Sequence, residues 1–130
     1  MLLTIITSFP GCGGGNGDHI SKEEYVRAGN AICANGNERI AAVARQPSAD
    51  ADADTLATFV RVFVPGIRDQ LRQLRALGFP TGDRRTLESM FDDAETILRR
   101  AENDPSTIDG HAFDDVNRRL TAYGLRVCGS

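Results

Sequence analysis

The sequence predicts an all-α fold: a four-helix up-down bundle, its second helix kinked at Pro65, stapled by one disulfide. Three observations point there. Apolar residues recur at alternating spacings of three and four over long stretches. Two of those stretches end in a glycine followed by an apolar residue, the signature of a Schellman stop. No strand-like alternation competes with them.

The first helix is expected over residues 22–45. Ser21 is placed to cap it, and Glu24 to reach back and complete a capping box. Its apolar stripe is Tyr25, Gly29, Ile32, Gly36, Ile40 and Val43. The glycines weaken the helix itself, but they let a neighbouring helix or the carboxyl tail approach closely. The second helix is expected over residues 55–77, with Asp54 as its cap. Its inward face is Leu56, Phe59, Val60, Phe63, Val64, Ile67, Leu71 and Leu74. Pro65-Gly66 removes a backbone donor at mid-length. The apolar phase carries on across it, which predicts one kinked helix rather than two.

The third helix is expected over residues 83–102, with Leu87, Met90, Phe91, Ala94, Ile97, Leu98 and Ala101 inward. The fourth is expected over residues 111–123, with Phe113, Val116, Leu120 and Tyr123 inward. Gly78-Phe79 with Leu74, and Gly124-Leu125 with Leu120, supply the two stop signals. Tyr25 and Tyr123 fall at one end of such a bundle, as core residues with solvated hydroxyls.

The chain has 130 residues, enough for one domain at 21–130 and a short appendage, and its 41% hydrophobic content suits a real core. A net charge of −3 argues against a nucleic-acid partner. Few aromatics and no Trp argue against a stacking platform.

Residues 1–11 are uncharged and mostly apolar; a small residue, Gly11, precedes Cys12, and Gly13-Gly14-Gly15-Asn16-Gly17 follows. That order reads as the end of a lipoprotein signal peptide, cut before a Cys12 acylated on sulfur. Residues 12–20 then form a flexible tether. The plain alternative is an apolar tail with a stray cysteine. Residues 1–11 are too few to span a bilayer as a helix.

The remaining cysteines, Cys33 and Cys128, form an even pair once Cys12 is occupied. Export permits a disulfide between them, and two buried thiols are the alternative. No CxxC occurs, so a zinc site is poorly supported.

One set of residues carries a resemblance. Residues 21–25 (Ser-Lys-Glu-Glu-Tyr), 31–34 (Ala-Ile-Cys-Ala), Phe59-Val60, Val64-Pro65, 73–80 and 122–129 together resemble a family of small helical lipoproteins or secreted proteins of actinobacteria. The resemblance spans about residues 20–129. It implies export and a paired Cys33 and Cys128, and it brings no activity, cofactor or catalytic residue.

The other motifs are weak. Asp50, Asp52 and Asp54 resemble the front of a calcium loop, but Thr55 and Arg61 stand where an EF-hand needs Gly and Glu, which favours a solvated acidic loop. Arg61, Arg68, Arg72 and Arg75 make a basic stripe along the second helix, and Glu88, Asp92 and Glu95 an acidic one along the third. Antiparallel packing would set the two stripes opposite each other; the sharper reading makes the arginines a site for anionic headgroups or an acidic partner. Asp114–Arg118 and Asp115–Arg119 are expected as surface pairs. His19 and His111 have no evident catalytic neighbour.

Functionally this predicts a non-catalytic, extracytoplasmic lipoprotein, held at the cell membrane by its anchor and acting as an interaction module for another envelope protein. The alternative is a carrier of a small apolar ligand, held between helices where Pro65-Gly66 loosens packing. No enzyme, cofactor or metal is expected. A cavity near Pro65 speaks for the carrier, and an exposed apolar patch on the order of several hundred Å² for the module.

Overall fold

The computed structural model describes residues 19–130. Cys12, the expected signal segment and most of the expected tether lie outside them. Among the described residues are four α-helices and no strand: α1 (Lys22–Val43), α2 (Ala53–Ala76), α3 (Arg84–Asn103) and α4 (Asp114–Tyr123). A 3-10 turn, Pro105–Thr107, stands between α3 and α4.

The helix ends show which local signals operate. Ser21 Oγ accepts from the Glu24 amide at 3.1 Å, the capping bond expected of it. The cap of α2 is Asp52 rather than Asp54: its Oδ1 accepts from the Thr55 amide at 2.7 Å. Asp54 lies inside the first turn instead, where its charge faces the positive helix end. At the end of α4, Leu125 donates to the Leu120 carbonyl and Gly124 to that of Thr121, with Gly124 at φ 119°. This is the full Schellman pair. Gly78 (φ 77°) makes the inner half of the same motif, to Arg75. α2 is helical without interruption through Pro65.

Gly29 and Gly36 act as close-approach points on α1. A Cβ on Gly29 would stand 2.7 Å from Leu125 and 3.1 Å from Leu74, and one on Gly36 would collide with Gln70. Gly66 on α2 receives Ile40 in the same way. Residues 29, 36 and 40 thus meet 74, 70 and 66, in reverse order along α2. Val43 departs from the expected stripe and is 70% exposed. The buried line on α1 is Tyr25, Gly29, Cys33 and Gly36, and the last turn from Ala41 faces solvent.

The two charged stripes meet. Arg68 reaches Glu95 at 2.7 Å and Glu102 at 2.5 Å, and Arg75 reaches Asp92 at 3.1 Å. Arg119 on α4 bonds Asp93 on α3 at 2.6 Å. Arg119 also pairs with Asp115 as expected. Arg118 departs from expectation and takes Asp115 rather than Asp114, because Asp114 is engaged with His111.

The core gathers Tyr25, Val64, Leu87, Phe91, Leu98 and Leu125 among its most buried side chains. At one end Tyr25 stacks on Phe79 (6.5 Å), and Tyr123 meets Tyr25 edge-on (6.2 Å). Arg84 lies over Phe79 and Lys22 over Tyr123. The Tyr123 hydroxyl donates to Asp83 at 2.7 Å. The Tyr25 hydroxyl is not solvated as expected. It is buried without a hydrogen-bond partner among the described residues, and burial drives its pKa well above the ordinary phenol value.

Cys33 and Cys128 are joined by a disulfide with Cα atoms 5.1 Å apart. Asn30 secures the same tail: its Nδ2 donates to the Gly124 carbonyl and its Oδ1 accepts from the Val127 amide.

Candidate functional site: a cleft along α2

The apolar face of α2 is wider than the core can use. Val60, Val64, Leu71 and Leu74 are buried. Leu56, Phe59, Phe63 and Ile67 form a second stripe, offset by about one residue, and are only half-buried. That second stripe is one wall of a cleft of about 660 Å³. Pro65 and Gly66 are not among its lining residues; Pro65 is exposed, about 200° around the helix from Phe63 and from Ile67.

Met90, Phe91 and Ala94 of α3 form another wall, with Phe113, Val116 and Leu120 from the α4 region. The inner end is made by Cys33, Asn37, Gln70 and Cys128. The mouth is polar: Gln46 to Ala49 from the α1–α2 loop, Ser106 and Asp109 to His111 from the α3–α4 connection, and Asp114.

Aromatic packing organises the walls. Phe59 and Phe63 stack at 4.9 Å, and Phe113 meets Phe63 edge-on at 5.8 Å. Such offset and T-shaped pairs are the favoured aromatic geometries. Gln70 is 5% exposed, the one buried polar side chain of the described residues. Its Nε2 donates to Asn37 Oδ1 at 3.3 Å, and its Oε1 takes no hydrogen bond among the described residues. At the mouth, His111 Nδ1 lies 2.9 Å from Asp114 Oδ2, and the His111 amide donates to Asp109 Oδ1 at 2.8 Å. The hydrogen bond to Asp114, with the charges of Asp114 and Asp109, raises the His111 pKa.

Of the residues singled out from sequence, the disulfide pair Cys33 and Cys128 borders the cleft. The basic stripe does not. Arg68 and Arg75 are engaged with α3, Arg72 with Asp69, and Arg61 with the Ala57 carbonyl and Thr58. Among the described residues no group of three or more His, Cys, Asp or Glu side chains is placed to hold a metal ion. Asp52 of the acidic loop serves as a cap. No described helix is long and apolar enough to cross a membrane.

Sequence reasoning missed Gln70, Asn37 and the group around His111. Gln70 carries a signal in hindsight, as a polar residue set between Ile67 and Leu71 on an apolar face. No family model, curated protein or solved structure matches the chain.

Proposed function

We propose that this protein is an exported, lipid-anchored binding module whose helical body holds a small apolar ligand in the cleft along α2. The observation that carries the reading is the unfilled second stripe of α2. Phe59, Phe63 and Ile67 stay half-buried against about 660 Å³ of open space, a volume within the roughly 300–1,000 Å³ usual for small-molecule sites. Away from the cleft, Val43 is the one large apolar side chain left exposed among the described residues. That is little apolar surface for an envelope-protein partner to grip, so the carrier reading stands ahead of the interaction module.

The up-and-down order of the helices and a bend of α2 at Pro65 belong to this proposal. The reverse-order meeting of α1 with α2, and of α2 with α3, supports the first. Binding is the whole activity in this reading. His111 takes Asp114 as its side-chain partner, and among the described residues no nucleophile is hydrogen-bonded to it. The kinship with small actinobacterial lipoproteins and an extracytoplasmic location remain part of the proposal. The Cys33–Cys128 bond supports the location, since such bonds persist in oxidising compartments.

The test uses N-phenyl-1-naphthylamine, a neutral fluorophore that brightens in apolar surroundings. It is expected to bind saturably, and Phe63→Ser is expected to weaken it about tenfold, the factor that roughly 1.4 kcal/mol supplies. No saturable binding, or binding indifferent to Phe63→Ser, overturns the carrier. The anchor is tested separately by mass spectrometry of the membrane fraction. Diacylglyceryl-modified Cys12 is expected, and an intact Met1 in the soluble fraction overturns it.

A further inference from the structure

Resting on the ligand-binding reading above, we infer that the cleft selects a hydrophobic organic cation, with an apolar body between α2 and α3 and a cationic head at Asp109 and Asp114. The charged residues that line the cleft are Asp109, Asp114 and the titratable His111, and no Lys or Arg is among them. This contrasts with a chain that carries 15 Lys and Arg residues. On α2, Arg68 and Arg75 are engaged with carboxylates of α3, Arg72 with Asp69, and Arg61 with the Ala57 carbonyl and Thr58.

The acidic groups form one cluster. Both Asp109 and Asp114 bond to His111, through its amide and its ring. Each carboxylate uses one oxygen in doing so, and its other oxygen takes no hydrogen bond among the described residues. The cluster adjoins the aromatic wall directly, because Phe113 lies between His111 and Asp114 in the chain and meets Phe63 at 5.8 Å. Aromatic faces beside carboxylates suit a cation twice over: ring quadrupoles attract it and the carboxylates neutralise it. An anionic head in the same place meets two carboxylates with no Lys or Arg beside them and His111 as the one titratable base, itself already bonded to Asp114. At the inner end the Gln70 amide adds a polar group to the lining, with one N–H engaged by Asn37.

The experiment compares three probes with one ten-carbon tail: decyltrimethylammonium, decanol and decanoate. Each is titrated by calorimetry into the full protein below its micelle concentration. The cation is expected to bind about tenfold or more tighter than decanoate, with decanol between them. The double variant Asp109→Asn, Asp114→Asn is expected to close most of that gap and leave decanol unchanged. Both side chains are exposed, so the fold is expected to survive the change, as far-ultraviolet dichroism will check. Equal binding of all three probes, or a gap untouched by the double variant, overturns the cation inference while the ligand-binding reading stands. Failure of all three to bind overturns both.

Discussion

The molecule has two aromatic clusters, one closed and one open. Tyr25, Phe79, Phe91 and Tyr123 meet at one end, where Tyr25, Phe79 and Phe91 are buried. Phe59, Phe63 and Phe113 meet on the open side and none of them is buried. The difference lies in what covers each. The closed cluster is covered by the chain itself. Gly78 folds Phe79 back onto the core, Gly124 does the same for Leu125, and Arg84 and Lys22 lie over the rings. Beside the open cluster stand the Gln46–Ala49 loop and the segment around His111, whose polar side chains cannot bury themselves over phenyl rings without losing water. Aromatic residues at helical spacing therefore become core only where an apolar element returns to cover them.

The largest test of that contrast truncates one ring from each cluster. Phe79→Ala is expected to cost about 3–5 kcal/mol of unfolding free energy. Phe63→Ala is expected to cost less than about 2 kcal/mol, as befits a half-exposed ring. Urea denaturation measures both, and equal costs would break the distinction. Next comes the bond that ties the tail to α1. Its partners are 95 residues apart, and a crosslink of that span is worth about 4–5 kcal/mol in the chain-entropy model and typically 2–4 in practice. Cys33→Ser with Cys128→Ser is expected to show a loss in that range. It is also expected to weaken N-phenyl-1-naphthylamine binding, since both cysteines border the cleft. A smaller, opposite effect sharpens the closed end. Tyr25→Phe removes a buried hydroxyl without a partner and is expected to stabilise the protein by about 1 kcal/mol.

Much of the frame was legible. The capping at Ser21, the glycine stops at Gly78 and Gly124, and the inward residues of α3 are local signals that tertiary structure had no reason to override. The glycines of α1 were also readable, because their spacing alone says that something must come close. The cleft was not. Periodicity reports that Phe59 and Val60 both lie on the apolar side of α2, but the two differ by about 100° around the helix, and only the position of the other elements decides which is covered. Asp52 displaced Asp54 as cap because the helix begins about one turn earlier than the apolar pattern does. The cluster of Asp109, His111 and Asp114 depends on a connection whose conformation leaves no periodic trace.

The disulfide has a consequence for survival under proteolysis. Residues 33 to 128 form a covalent ring, so one cut anywhere in that span opens the ring without releasing a fragment. The exposed loop from Arg45 to Asp50 is the natural place for a protease to strike. A molecule nicked there keeps α1 joined through Cys33 to the tail, and the two pieces stay at each other's side long enough to remain folded. The staple thus acts as insurance against proteolysis at the very loop that borders the cleft.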